Sequence, residues 1–316
     1  MSVWPRPLHG HWHTFRPFVR QLVRATPPVP SRHWRTFLDD PDVGRVRLTG
    51  RLHEQPGDEL LVVVHGLGGS HQSIYTLEAA RAAASVGVSC LRLNLRGADR
   101  KGRDYYHAGL TADLRAALAS DELARFRRVY VLGYSLGGHL VLRYASEGVD
   151  PRVRAVATNC APVDLAAGAN EIDRPKGAVY RSKVLGGLKE IYAEVAKRRE
   201  VPIPVAEAER IRTLREWDTR IVAPRFGFAD ADEYYATQSA APVLDRIRVP
   251  ALAVVAERDP MVFAHTVRPH LEPCGAVRSV FVERGGHVGF PSDVDLGLGG
   301  RGDVESQTIA WLRDPR

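Results

Sequence analysis

Three side chains have the types and chain order that nucleophilic acyl transfer needs: Ser135, Asp259 and His287. Ser135 lies in Val129-Tyr-Val-Leu-Gly-Tyr-Ser-Leu-Gly-Gly138, a Gly-x-Ser-x-Gly arrangement directly after an apolar run and directly before a helical pattern. The bare pattern arises by chance in roughly one chain in ten of this size, so its meaning comes from that context. A serine forced into a sharp strand-to-helix turn projects its hydroxyl above a sheet, and the residues two before and two after must be small. His287 follows Gly285-Gly286 after a final apolar run, where a loop can carry an imidazole across the sheet edge to the serine. The orienting acid belongs between serine and histidine in chain order, at another strand end. Ala251-Leu-Ala-Val-Val-Ala-Glu-Arg-Asp-Pro260 puts Asp259 there, with Glu257 and Asp164 as rivals.

The same chemistry needs donors for a developing oxyanion. Leu61-Val-Val-Val-His-Gly-Leu-Gly-Gly-Ser70 is an apolar run ending in a glycine-rich turn, so the backbone N–H groups of Leu67 and of Leu136, the residue after the serine, are the expected oxyanion hole. Each such donor is worth about 3 to 4 kcal/mol in a dry, preorganised site. The turn does not fit a dinucleotide or phosphate-loop fingerprint. His65 reads as a residue that shapes the loop, and His139, one helical turn beyond Ser135, as packing.

Positioning these groups requires strands that end on one edge. Nearly continuous apolar runs at 60–64, 88–95, 129–132, 153–158, 251–255 and 277–282 read as parallel strands covered on both faces. Helical patterns at 74–85, 110–126, 136–146 and 262–271 alternate with them, which predicts a mostly parallel, doubly wound α/β sheet. Between about 162 and 243 the strand rhythm gives way to charged helical stretches at 180–199 and 206–217, the expected place for a helical cap or lid. Residues 1–44 read as an N-terminal arm packed on the core and 45–316 as one catalytic domain.

Composition sets the outer bounds. With 316 residues and 44% hydrophobic side chains, the chain can fill a sizeable core. The net charge of +7 comes from scattered arginines among acidic residues, a solvated surface rather than a nucleic-acid footprint. Cys90, Cys160 and Cys274 lie far apart and imply neither a disulfide framework nor a metal cluster. No signal-like or membrane-spanning apolar stretch occurs, which leads to the expectation of a cytoplasmic protein. One segment departs from this plain picture: Trp4, Trp12, Phe15, Phe18, Val19 and Leu22 interleave with Arg6, Arg16, Arg20 and Arg24. That is the pattern of a basic interfacial segment, so peripheral membrane contact through the arm is a second expectation beside simple packing.

The chain resembles the YheT-like hydrolases, a bacterial branch of the α/β-hydrolase fold similar to the ABHD1/ABHD3-type lipases. The resemblance rests on His65-Gly-Leu-Gly-Gly-Ser70, Leu93-Asn-Leu-Arg-Gly97, Gly133-Tyr-Ser-Leu-Gly-Gly138, Ala161-Pro-Val-Asp-Leu165, Phe226-Gly-Phe-Ala-Asp-Ala-Asp232 with Tyr234-Tyr235, Asp259-Pro260 and Gly285-Gly-His-Val-Gly-Phe290. It implies esterase or lipase activity on a small-molecule or lipid ester, with Ser135, Asp259 and His287 as the triad and no metal or organic cofactor. Arg258 departs from the family, which often carries a second acid there. An acyltransferase or thioesterase would use the same residues, and a non-catalytic binding protein is the rival from another class.

Overall fold

Apolar strands with no polar face have only one stable place, the middle of a sheet covered on both sides. A computed structural model, which describes residues 10–16 and 29–315, shows this arrangement. Eight strands run in the order β1-β2-β4-β3-β5-β6-β7-β8. They are β1 (Arg32–Asp40), β2 (Gly44–His53), β3 (Glu59–Val64), β4 (Ser89–Asn94), β5 (Arg128–Tyr134), β6 (Val153–Asn159), β7 (Ala251–Ala256) and β8 (Arg278–Val282). From β4 through β3 to β8 all neighbours are parallel. Every residue of β3, β4 and β7 is buried. Burying a side chain such as Val62 or Leu91 stabilises the fold by about 1.5–3 kcal/mol.

The sheet begins earlier than the sequence pattern suggests. Arg32–Asp40, within the 1–44 segment read as an arm, pairs antiparallel with β2, and β2 pairs antiparallel with β4. These strands escape an apolar-run criterion because one face meets solvent, so charged and apolar residues alternate along them. Trp34, Val46, Leu48 and Leu52 supply the inward face.

One face of the sheet is covered by the helices Ile74–Ser85 and Val304–Arg313, the other by Ala112–Leu118 and Leu136–Ser146. The helix at the C-terminus has no counterpart in the sequence reading. Between β6 and β7 the strand rhythm is replaced by helices, chiefly Leu165–Ile172, Ala178–Ala196 and Ala231–Gln238. The helical stretch expected at 206–217 is broken into Val205–Ala208 and Leu214–Trp217. Lys189 Nζ donates to the carbonyls of Glu209 and Ile211 at 2.7 and 2.9 Å, and Thr213 restarts the helix by accepting the Glu216 N–H. A five-residue π-helical turn, Asp218–Val222, follows.

A buried ion network ties this insertion to the core. Arg96 pairs with Asp113, Asp104 and Asp40, while Arg225 from the insertion pairs with Asp104, Asp40 and Asp42. Strand β1, the loop after β4 and the insertion thus share one set of charges. Among the described residues no helix is long and apolar enough to cross a membrane.

Candidate active site

The turn after β5 is held open by what is missing from it. Ser135 occupies φ 53°, ψ −124°, a conformation rare for a residue with a Cβ. A Cβ on Gly133 would lie 2.3 Å from the Gly137 carbonyl oxygen, and one on Gly137 would lie 2.4 Å from those of Val64 and His65. Both glycines are therefore steric requirements of the strand–helix approach, and the strain they permit lifts the serine hydroxyl to the sheet's carboxyl edge.

His287 meets that hydroxyl. Its Nε2 lies 2.9 Å from Ser135 Oγ, and its Nδ1 lies 2.8 and 3.1 Å from the two carboxylate oxygens of Asp259. Asp259 is held in turn by the N–H groups of Met261 and Val262, both donating to Oδ1 at 2.8 and 2.9 Å. His287 and Asp259 are buried, and Ser135 is half-buried at the floor of a cleft. The two rival acids are occupied elsewhere. Asp164 caps the helix Leu165–Ile172 by accepting the Ala167 N–H, and Glu257 is paired with Arg268.

The residues whose backbone N–H groups are expected to hold an oxyanion lie beside Ser135. Leu67 and Leu136 border the same cavity as Ser135, and neither N–H is engaged in a hydrogen bond among the described residues. The loop carrying Leu67 is pinned by two tyrosines: Gly66 N–H donates to Tyr75 Oη at 3.0 Å and Gly68 N–H to Tyr106 Oη at 2.8 Å. His65 beneath it bonds the Gly66 carbonyl through Nδ1 and accepts the Leu95 N–H on Nε2. Burial depresses its pKa to about 4, which keeps the ring neutral, and these two hydrogen bonds place its proton on Nδ1. His139 is likewise buried and structural, with its ring between the carbonyls of Pro162 and Gln238.

Thr14 is a site residue that the sequence reading missed. Its hydroxyl accepts the His287 backbone N–H at 2.8 Å and donates to the Gly10 carbonyl at 2.7 Å. The helical segment 10–16 thereby reaches the histidine loop across the whole chain, a pairing that no local motif announces. The interleaved aromatics and arginines of the N-terminus fall mostly outside the described residues. Of the group, Trp12 and Phe15 are partly exposed, and Phe15 stacks on Tyr180 at 5.7 Å.

Cys160 completes the surroundings. Its thiol accepts the Val288 N–H at 3.4 Å and faces the Gly286 carbonyl at 3.7 Å, so it bonds both sides of His287. Donor atoms of Cys160, Asp259 and His287 lie within 4.8 Å of one another, close enough for metal ligation. Burial pushes the thiol pKa well up, however, so the thiolate a metal needs is disfavoured.

Two cavities meet at Ser135. One runs under the insertion and is walled mainly by apolar side chains such as Leu165, Ile172, Leu188, Val222 and Val262. The other carries Ser70, Gln72, Glu78 and Lys183 with His287.

Known proteins share this plan. The family model described as "Alpha/beta hydrolase family" matches residues 61–295. The putative esterase YheT of Escherichia coli (strain K12) is 34% identical over 303 residues, spanning 90% of this chain and 86% of that protein. The monoacylglycerol lipase of Saccharomyces cerevisiae is 27% identical over 257 residues, spanning 77% of this chain but 57% of the lipase. A hydrolase structure from Pseudomonas aeruginosa PA01 superposes with a TM-score of 0.52 at 21% identity, over 88% of this chain and 98% of that one, a likeness of fold alone. Sequence similarity over 90% of the chain, with the family model matched across residues 61–295, places the chain in the α/β-hydrolase family, in its YheT-type branch.

Proposed function

We propose that the chain hydrolyses carboxylic esters through an acyl-enzyme on Ser135. The observation that carries this is the continuous relay from Ser135 Oγ through His287 to Asp259, at 2.9 and 2.8 Å, set where two cavities meet. His287 Nε2 takes the serine proton as Oγ adds to the ester carbonyl. The carbonyl oxygen becomes an oxyanion facing the Leu67 and Leu136 N–H groups, and Asp259 stabilises the imidazolium without taking its proton. Collapse of the adduct expels the alcohol, protonated by His287. Water, activated by the same imidazole, then adds to the acyl-serine and releases the acid.

The apolar cavity under the insertion suits the acyl group, and the more polar one suits the alcohol. A lipid or small-molecule ester fits both, in keeping with relatives named esterase and monoacylglycerol lipase. On this reading the helices between β6 and β7 act as a cap over the acyl site. Phe15, partly exposed and lining the alcohol side, supports delivery of substrate from a lipid surface. The site draws on no metal or organic cofactor, and the protein acts in the cytoplasm.

The test is hydrolysis of p-nitrophenyl esters from acetyl to palmitoyl by wild type and Ser135→Ala, with intact-mass detection of the acyl-enzyme. Turnover and the acyl adduct are expected in wild type and absent in the variant. Loss of neither in a folded Ser135→Ala protein would overturn the assignment. An added alcohol that raises total p-nitrophenol release, with new ester formed, would mark acyl transfer rather than hydrolysis.

A further inference from the structure

The cavity proposed to hold the acyl group has one feature that an alkyl chain would not call for. Its wall on the insertion side carries Asp218, in the π-helical turn Asp218–Val222, beside Trp217 and Tyr235. Such turns are rare and concentrate at functional sites. Other polar groups lining the cavity are paired within the protein: Tyr106 Oη accepts the Gly68 N–H, Tyr234 Oη the Ala108 N–H, and His107 Nδ1 the Gly109 N–H. Asp218 differs. Tyr235 Oη donates to its Oδ2 at 2.6 Å, and among the described residues no second hydrogen bond reaches the carboxyl. Asp218 is half-buried as a residue and borders the cavity, and its Oδ1 has no hydrogen-bond partner among the described residues. Leaving a polar atom against apolar walls is costly unless something pairs with it.

We propose that Asp218 and Tyr235 form a polar recognition point in the acyl cavity, and that the preferred acyl group carries a hydroxyl on its chain to meet the Asp218 carboxyl. The inference rests on the ester-hydrolase reading above and narrows its substrate class. A hydroxyl suits the site better than an ammonium. A cation would lose its hydration among apolar side chains, and the Arg215 guanidinium already lies 5.3 Å from the Tyr235 ring centre. Burial also raises the Asp218 pKa to about 7, so the carboxyl is present in both forms near neutrality. A hydroxyl donates to the carboxylate and accepts from the acid, and pairs with either.

The experiment compares kcat/KM for two matched ester series from butanoyl to dodecanoyl, one with a plain terminus and one with a terminal hydroxyl. Wild type should favour the hydroxylated ester by about tenfold to a hundredfold at the length that reaches Asp218. Asp218→Leu should reverse this, losing the hydroxylated ester while gaining the plain one, an opposite-sign change that loosening of the cap does not produce. Equal or better turnover of plain esters at every length in wild type would overturn the proposal, whether or not the variant folds. Asp218→Leu lowering both series by the same factor would overturn it too, leaving a structural tie between Asp218 and Tyr235. Failure of wild type to hydrolyse either series or react with a fluorophosphonate would instead sink the hydrolase reading itself, and this inference with it.

Discussion

At the scale of single residues, the site is built from backbone strain and from side chains that hold other side chains. Among the described residues, four other than glycine have positive φ, and three of them, Ser135, Cys160 and Val288, border the relay. Such conformations cost about 1–3 kcal/mol each and persist where surrounding contacts over-determine them. Two of those contacts are Cys160, which bonds the residues on both sides of His287, and Thr14, which accepts the His287 N–H. Thr14→Val keeps the shape but leaves the His287 N–H without an acceptor in a buried setting. It should cost about 1–3 kcal/mol in urea unfolding, and roughly tenfold or more in kcat through misplacement of the imidazole. A variant with wild-type kcat and stability would show that the histidine loop holds itself.

Among elements, the question is what fixes the helical insertion over the sheet. His139 on the helix after Ser135 sits between the carbonyls of Pro162 and Gln238, close to where the insertion leaves and re-enters the core. Asp104 plays a larger part, since it is fully buried and receives both Arg96 and Arg225. Replacing one member of a buried ion network strands the others, which is far more costly than never having built it. Asp104→Asn should therefore lower stability by about 3–5 kcal/mol, read from the urea midpoint. If the loss stays within about 0.5 kcal/mol, as for ordinary surface changes, the network does not couple insertion and core.

For the whole molecule, acid–base linkage gives a prediction independent of the active site. Glu305 is buried at the start of the last helix, accepts from Tyr134 Oη at 3.3 Å, and has its pKa raised from 4.5 to about 8 by burial and by neighbouring Glu78 and Asp303. Folded protein thus keeps a proton that the unfolded chain releases. Its contribution to stability is fully present below the ordinary carboxyl range and is lost as pH rises through the folded value. Glu305 should therefore add a downward slope to the pH dependence of the thermal-unfolding midpoint between about pH 4.5 and about pH 8, opposite to the upward slope that buried neutral histidines such as His65 add. Glu305→Gln should remove that downward contribution and be the more stable protein at the alkaline end. A slope unchanged by the substitution would remove Glu305 as its source.

Much of the fold was legible because burial leaves a direct mark on sequence: β3, β4, β5, β6 and β7, covered on both faces, announce themselves as apolar runs, and β8, at the sheet edge and only partly buried, does so through Val280, Phe281 and Val282. The helices Ile74–Ser85 and Leu136–Ser146 follow equally from their periodicity. The elbow was legible because only glycine fits at 133 and 137, and steric necessity is written in residue identity. Strands β1 and β2 were not, because a strand with one wet face alternates charge and apolar residues and looks like a polar arm. Chain order and the strand end before Pro260 already favoured Asp259 over its rivals Glu257 and Asp164, while the contact of its carboxylate with His287 appears only in the folded chain. The Thr14 contact with His287 joins residues 273 positions apart, and the Asp218 carboxyl becomes distinctive only when helices fold over it. Local sterics and hydrophobic pattern determine strands, turns and the backbone setting of Ser135; the partners that long-range packing brings together were decided by the tertiary structure alone.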